Sequence, residues 1–346
     1  MTVAVLIVNW NGGDLLRQCL ESLRQQRSSP DHVIVVDNAS SDDSIARAGS
    51  LLRDVEVIRL QNNFGFAQAN NIAAQAAKGY DSLALLNPDA FPEPGWLQAL
   101  ICAAERDSTA AAFASQILFA SDVDYLDGAG DSYHASGRAW RNGHGTAAGV
   151  WPLGNSEVFA PCAAAALYRR DAFEAVGGFD EEYFCYFEDV DLGFRLRLKG
   201  YRCQYVHSAI VRHVSSALGG YRSDFAVYHG ERNMVWTFVK DMPAPLLWWY
   251  LPQHVLLNLA ALAFYPWRGQ GKVVLRAKKD ALMGIGRVLR QRRLVQRART
   301  VSSWTLRHSL THGLIAPYAR LARNGRGAGV PSPAQREVMH RADSPR

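Results

Sequence analysis

The sequence predicts an α/β fold built on a doubly wound, mostly parallel sheet. Residues 3–8, VAVLIV, form an unbroken apolar run, which is typical of a strand covered on both faces. Similar runs occur at 33–37, 55–60 and 82–90, and segments with helical spacing of apolar residues separate them. Polar residues directly follow several of these runs, as they do where ligands bind at the edge of an open α/β sheet.

The helices between these strands follow from the same periodicity. Apolar residues from Asp14 to Gln26 keep helical spacing, and 62–77 predicts a loop that feeds a second helix. The fourth strand, at 82–90, ends in the polar tripeptide 87–89. Because the carboxyl ends of parallel strands share an edge, the polar loops are expected to gather there.

The middle of the chain is less regular. Residues 113–119 predict a strand, and 159–179 predict a short strand followed by a helix. Between them, 127–149 is rich in Gly with aromatic and basic residues, and its length predicts a functional flap, with a disordered connection as the alternative. A last strand is predicted over 203–217, and it carries His213.

An acidic and aromatic stretch at 177–201 is the strongest candidate for chemistry. It carries six Asp and Glu residues among Tyr and Phe. Aromatic neighbours exclude water and raise the pKa of a carboxylate, so an acid here is a candidate general base. A helix is expected to begin between Glu188 and Asp191 and to end at Gly200. The alternative is an acidic helix start without catalytic function.

The length of 346 residues allows one large α/β domain with an appendage, or two small domains. The five cysteines are scattered and include no Cys-x-x-Cys pair, which argues against a disulfide framework or a zinc site and for a cytosolic protein. No basic region precedes the first apolar run, so no signal peptide is expected.

The net charge of +6 is unevenly distributed. Residues 1–267 hold 20 Lys and Arg against 29 Asp and Glu, whereas 268–323 hold 14 against 1. Such a basic segment suits an anionic partner, either nucleic acid or the cytoplasmic face of a membrane. Nucleic acid is the weaker alternative, because the aromatic residues precede the basic run and do not interleave with it.

Residues 242–267 contain no Asp, Glu, Lys or Arg, and Trp and Tyr lie towards both ends. Three alternatives follow: a helix lying on a membrane surface, a membrane span, or a helical hairpin packed on the body of the protein. The next helix has an apolar face opposed by basic residues, which predicts an amphipathic helix on an anionic bilayer. That apolar face comprises Val274, Ala281, Leu282, Ile285, Val288 and Leu289. Residues 324–346 are predicted to be disordered.

Six motifs in order resemble those of family-two glycosyltransferases. They are VAVLIVNWNG (3–12), VIVVDNASSDDS (33–44), NNFGFAQANN (62–71), LLNPDAFPEPGWL (85–97), GGFDEEYFCYFEDVDLGFRLRLKGY (177–201) and HVSSALGG (213–220). Within that family the chain looks like the rhamnosyltransferase-like branch of bacterial polysaccharide assembly. The resemblance implies a GT-A catalytic domain over 1–240 with a mixed sheet, followed by a helical, membrane-associating segment over 241–323 and a disordered tail over 324–346.

The resemblance also implies a donor site. Asp37 matches the carboxylate that binds the nucleotide base, with Asn9 and Asn63 in the same crevice. Asp89 matches the acid of the metal motif, although Asn87 stands where the family usually has a first acid. His213 matches the histidine that completes the metal site, and the cation is expected to be Mg²⁺ or Mn²⁺.

Asp189 matches the general base of an inverting transfer, which takes the proton of the acceptor hydroxyl. Glu188 and Asp191 are expected to orient the acceptor or to cap the helix, and Glu188 is counted with the catalytic pair. The sequence contains no Gln-x-x-Arg-Trp motif, so one sugar per event is expected.

The function implied is transfer of a sugar from a nucleotide-diphospho-sugar to a lipid-linked or cell-surface glycan. Rhamnose from a thymidine diphosphate donor is the first candidate. The enzyme is expected in the cytoplasm, peripherally associated with the anionic inner face of the membrane, and without a nucleic-acid partner. The alternative is a catalytically inert scaffold of polysaccharide assembly that binds nucleotide sugars.

Overall fold

A computed structural model describes residues 1–215 and 223–318. The predicted disordered tail at 324–346 and the end of the 213–220 motif lie outside these described residues.

The strands are β1 (Val3–Asn9), β2 (His32–Asp37), β3 (Glu56–Arg59), β4 (Ser82–Leu86), β5 (Ala90–Pro92), β6 (Ala110–Phe119), β7 (Asp122–Ala129), β8 (Asp131–Tyr133), β9 (Ala139–Arg141), β10 (Ser156–Val158), β11 (Ala165–Arg169) and β12 (Arg202–His213). The helices are α1 (Gly13–Arg24), α2 (Ser44–Ala48), α3 (Gly65–Ala76), α4 (Trp96–Arg106), α5 (Arg170–Ala175), α6 (Glu188–Leu198), α7 (Asp224–Asp241), α8 (Ala244–Phe264), α9 (Gly271–Met283), α10 (Ile285–Ala298) and α11 (Ser303–Ser309).

The sheet is mixed, with the strand order β10-β12-β6-β11-β4-β1-β2-β3. Strands β1 to β4 pair in parallel, whereas β11 runs antiparallel to both β4 and β6. All seven residues of β1 are buried, because helices cover both faces of the sheet. Val5 and Ile7 pack with α1 and α4 on one face, while Ala4 and Leu6 pack with α3 and α6 on the other. The predicted α/β architecture is confirmed, but the sheet is not mostly parallel, because β5, β7, β10 and β11 pair in antiparallel orientation.

Two segments differ from the prediction. The strand predicted at 82–90 ends at Leu86, and a turn at 87–89 separates it from the short strand β5. The predicted flap at 127–149 is wrong in its first half, because it contains the end of β7 and the hairpin of β8 and β9, with Asp127, Asp131 and Tyr133 buried. Small residues allow these short strands to pack closely. The glycines predicted a loop only because the glycine backbone adopts strand and loop conformations alike.

The C-terminal helices are integrated into the body of the protein. Helices α9 and α10 contact α7, and α8 shares a hydrophobic cluster with α6 through Leu246, Tyr250, Val190 and Phe194. Among the described residues, no helix is long and apolar enough to cross a membrane.

The predicted apolar face of the basic amphipathic helix requires correction. Val274, Ala281 and Val288 are buried on the side that packs on the protein, whereas Leu282 and Leu289 are exposed. This face therefore stabilises the fold and is not free as a whole to enter a bilayer. A helical spacing of apolar residues indicates burial but does not distinguish protein from lipid.

Candidate functional site

The predicted donor residues lie together at the carboxyl ends of β1 and β2. Asn9 is paired with Asp37 in the sheet register, and its Nδ2 donates to Asp37 Oδ1 at 3.1 Å. The next residue, Asn38, donates to Asn63 Oδ1 at 2.9 Å. Asn63 Oδ1 also accepts from the Gly65 amide at 2.8 Å, which fixes the start of α3 beside the crevice. These bonds gather one carboxylate and several amide groups at this edge of the sheet, a polar set that suits a nucleotide base.

The turn at 87–89 places Asn87 beside the start of β11 at the same edge of the sheet. The Asn87 amide donates to the carbonyl of Ala164 at 2.9 Å, and the amide of the adjacent Ala163 donates to Asp189 Oδ2 at 3.1 Å. The backbone of Ala163 and Ala164 thus connects the turn that carries Asp89 to Asp189, the predicted general base.

His213 bridges two buried acids. Its Nε2 lies 3.2 Å from Asp89 Oδ1, and its Nδ1 lies 2.7 Å from Asp127 Oδ2. Asp127 is also paired with Arg141 at 2.6 Å. Burial alone would lower the pKa of His213, but the hydrogen bonds to Asp127 and Asp89 raise it to about 9. The ring is therefore an imidazolium at neutral pH when no other cation is bound.

This bridge predicts a pH-dependent contribution to stability in the presence of a chelator. Because the folded pKa of about 9 exceeds the ordinary 6.5, the stabilisation is fully present below pH 6.5 and is lost as the pH rises through 9. We expect the difference in free energy of unfolding between wild type and His213→Gln to shrink by about 1 to 3 kcal/mol across that range. Urea titrations at a series of pH values measure it, and a difference that stays constant would contradict the assignment.

Asp189 lies in the first turn of α6, half-buried, with Glu188 buried beside it. Burial raises the pKa of Asp189, and amide donors from Ala163 and Val190 partly offset this effect. Burial and the charge of Asp189 raise the pKa of Glu188 well above its usual range. Asp189 is the more exposed acid of the pair and is therefore better placed to accept a proton from a bound acceptor.

The segment before this pair has a strained backbone. Phe184, Tyr186 and Phe187 have φ values of 64°, 66° and 70°, which are uncommon for bulky residues. Asn233 Nδ2, from α7, lies within hydrogen-bonding distance of the carbonyl oxygens of Tyr183, Cys185 and Tyr186 at 3.0, 3.0 and 2.7 Å. This buried amide fixes the loop that leads into the base.

The same strained loop contacts the donor crevice. The carbonyl of Phe184 accepts from the amide of Ala67 in α3 at 3.1 Å. Gly65 has a φ of +80°, and a Cβ there would lie 2.5 Å from that carbonyl oxygen. Only glycine fits this close approach. The start of α3, beside Asp37, is therefore packed against the loop that leads to Asp189, the predicted general base.

Asp191 requires correction as an acceptor residue. It is fully buried, and Arg195 Nη2 and Lys240 Nζ pair with it at 2.7 and 2.5 Å. Tyr183 donates a further hydrogen bond at 3.0 Å. The carboxylate points into the interior between α6 and α7, which gives it a structural role.

Sequence reasoning missed Asp127, Arg141 and Asn233. A lone acid between Leu126 and Gly128, in a segment of small and apolar residues, is a weak signal of burial that could have identified Asp127. No local pattern identifies Asn233, because it is one polar residue among several in a helix.

The chain matches two family models. Residues 4–177 match the model described as glycosyl transferase family 2, and residues 132–268 match glycosyl transferase family group 2. A similar relative is the N-acetylglucosaminyl-diphospho-decaprenol L-rhamnosyltransferase of Mycobacterium tuberculosis, 32% identical over 70% of this chain and 87% of that protein. The O-antigen chain rhamnosyltransferase RfbN of Salmonella typhimurium is 26% identical over 62% of this chain and 66% of its own length.

Solved structures show a similar fold. GalNAc-T7 with UDP, GalNAc and Mn²⁺ aligns with a TM-score of 0.60 at 16% identity, over 76% of this chain and 51% of that one. The mannosyltransferase PcManGT from Pyrobaculum calidifontis, in complex with GDP-Man and Mn²⁺, aligns with a TM-score of 0.53 at 18% identity, over 81% and 86%. This chain thus spans about half the length of GalNAc-T7, and at these identities the likeness shows the GT-A fold.

Proposed function

The chain belongs to glycosyl transferase family 2, and from this we propose that it is an inverting enzyme that transfers one sugar per event to a lipid-linked or cell-surface glycan. The best candidate donor is a thymidine diphosphate rhamnose, because two similar proteins bear rhamnosyltransferase names. The observation that carries the proposal is that Asp37, the pair of Asp89 and His213, and Asp189 lie at one edge of the sheet.

In this proposal the crevice around Asp37 takes the nucleotide. The carboxylate accepts a hydrogen bond from the base, while Asn9 holds it in place by donating to Oδ1. Asn63, fixed by Asn38 and Gly65, lines the same crevice. Asn87 lies at the turn towards the diphosphate, where an amide adds polarity without charge.

Asp89 and His213 would hold a divalent cation, Mg²⁺ or Mn²⁺. They fit that role because Asp127 binds Nδ1 of the histidine and directs Nε2 at the Asp89 carboxylate, an arrangement common around metal-binding histidines. Among the residues described, no group of three or more His, Cys, Asp and Glu side chains is arranged for a metal. The diphosphate and water would therefore complete the ligand set. A bound cation supplies positive charge for the departing diphosphate.

Asp189 performs the proton transfer. Its carboxylate takes the proton of the acceptor hydroxyl while that oxygen bonds to the anomeric carbon and the bond from this carbon to the diphosphate breaks. Attack opposite the leaving group inverts the anomeric centre. Glu188 lies beside it in the first turn of α6 and would orient the acceptor.

The test is release of nucleoside diphosphate from a panel of nucleotide sugars by the full chain, with Mg²⁺ or Mn²⁺ and a membrane lipid extract as acceptor source. We expect one donor to be turned over, at a rate that rises with the extract. Binding of a nucleotide sugar without turnover of any donor, with the extract present, would favour the inert scaffold. Failure to bind any nucleotide sugar would overturn the transferase proposal.

Asp127→Asn tests the metal assignment. Losing a charged partner of a ligating histidine typically weakens metal binding about 10- to 100-fold, so we expect the Mn²⁺ concentration for half-maximal turnover to rise by that factor. Saturating metal should restore most of the activity. Titration of Mn²⁺ binding by calorimetry gives a readout independent of turnover. Unchanged metal affinity would show that Asp127 only supports the fold.

We also propose that the enzyme works at the cytoplasmic face of the membrane. A diphospho-polyprenol acceptor, such as the one in the name of the M. tuberculosis relative, is held in a bilayer by its lipid. The basic segment 268–323 supports this location, since the inner leaflet is anionic.

A further inference from the structure

More than half of the exposed large apolar side chains in the described part of the chain lie between Trp248 and Ile315. The most continuous group lies on the outer side of α8. It comprises Trp248, Trp249, Val255, Leu256 and Leu259, all exposed. We call this group the α8 outer face. Because it repeats at helical spacing with no charged residue between its members, it forms an apolar stripe.

The opposite side of α8 is anchored to the protein. His254 Nδ1 lies 2.7 Å from the Ser136 carbonyl oxygen, and its ring stacks on Phe238 at 3.9 Å between centroids. Leu246 and Tyr250 complete the buried side. The helix is therefore held rigidly with its apolar stripe turned outward, and no conformational change is needed to present it.

The surroundings of the stripe favour an anionic lipid surface. Trp248 and Trp249 lie near one end of α8, and Trp267, 92% exposed, follows the other end. Indole rings prefer this position at the boundary between water and hydrocarbon. Helix α9 starts four residues later, and the outer sides of α9 and α10 expose cations among apolar residues. These cations include Lys272, Lys279, Arg290, Arg293 and Arg297.

A second copy of this chain fits the stripe less well than lipid does. Between residues 268 and 323, Asp280 is the only acidic residue. Two copies meeting through the α8 outer face in a symmetric dimer would bring their basic helices towards each other, which is unfavourable. An anionic bilayer offers the complementary charge and accepts the apolar side chains as well.

We propose that the α8 outer face is the surface by which this protein enters the headgroup region of an anionic phospholipid bilayer. The inference rests on the proposed function and specifies its membrane partner. Hairpin β8–β9 packs on α8 through Ser136 and Gly137 and extends to Asp131 and Arg141, beside the site. One helix, about 10 Å thick, thus separates the lipid surface from the hairpin that reaches the site.

The test is flotation of the full chain with vesicles of phosphatidylcholine alone or mixed with phosphatidylglycerol. We expect wild type to bind the mixed vesicles and the double variant Trp248→Glu/Trp249→Glu to bind them about tenfold or more weakly. Leu153→Glu, which changes an exposed apolar residue elsewhere, is the control and should bind like wild type. Arg290→Gln/Arg293→Gln should lose the preference for phosphatidylglycerol.

Equal binding by wild type and the double tryptophan variant would overturn the proposal. So would absence of binding combined with a wild-type dimer that the tryptophan variant dissociates, because the face would then meet a second copy. Nucleotide-sugar binding by each variant is measured in parallel without lipid. A variant that loses vesicle binding but still binds nucleotide sugar is affected only at its membrane-binding surface. A wild type that binds vesicles but no nucleotide sugar would contradict only the transferase proposal.

Discussion

Asp189→Asn is expected to reduce turnover by roughly 10³-fold, because a positioned general base typically contributes 10²- to 10⁴-fold. Asparagine keeps the shape of the side chain and can still accept the hydrogen bond from the amide of Ala163. It cannot take the proton from the hydroxyl group of the sugar acceptor. We therefore expect single-turnover rates to fall while the dissociation constant of the nucleotide sugar changes little.

The matched control is Glu182→Gln, which removes an exposed acid from the same stretch of chain and should turn over like wild type. Glu188→Gln gives a second comparison. Since Glu188 is buried and the proposal assigns the proton transfer to Asp189, replacing Glu188 should reduce turnover less than replacing Asp189. A fully active Asp189→Asn enzyme would show that another group takes the proton.

Asp191→Asn is expected to lower the free energy of unfolding by about 3 kcal/mol, at the lower end of the range for breaking a buried ion pair. The change leaves Arg195 and Lys240 without their shared partner. Burial and the charge of Asp191 raise the pKa of Asp241, so removing that charge lowers the pKa of Asp241 and offsets part of the loss. Urea denaturation at neutral pH measures the loss.

This result also separates two roles for Asp191. A structural role predicts lower stability with an unchanged Michaelis constant for the acceptor, measured well below the unfolding transition. An acceptor-binding role predicts the reverse. Glu105→Gln, an exposed acid on α4, serves as the control for removing one negative charge.

The parallel half of the fold could be predicted because its strands are long and buried on both faces. Strand β1 is apolar throughout, and its periodicity admits few alternatives. Strands β8 and β9 are three residues each, too short for a periodic signal, and their glycines predicted a loop. Helix α8 was ambiguous for a related reason. It carries apolar side chains on all sides, and only the packing shows which side faces the protein.

Residues of the candidate site that directly follow strands could be predicted. Residues that only tertiary packing brings to the site were missed. Asp37 and Asp89 stand at strand ends, where an α/β sheet gathers its ligands. The contact of Asp127 with His213 joins residues 86 positions apart, and no local pattern encodes it. Asp191 is the opposite case. Its position in the sequence near Asp189 suggested a role in the site, but an acid at such a position can equally form an ion pair in the interior.

The strained loop at 184–187 also has a consequence for thermal inactivation. Each residue held in a sparsely populated backbone region costs about 1 to 3 kcal/mol, so this loop relaxes more readily than the sheet unfolds. The loop's hydrogen bonds to α7 depend mainly on Asn233 Nδ2, which lies within hydrogen-bonding distance of the carbonyl oxygens of Tyr183, Cys185 and Tyr186, and Arg232 also donates to Tyr183. On heating, activity should therefore disappear at a lower temperature than secondary structure, and the amide protons of 184–187 should exchange with solvent well before those of β1.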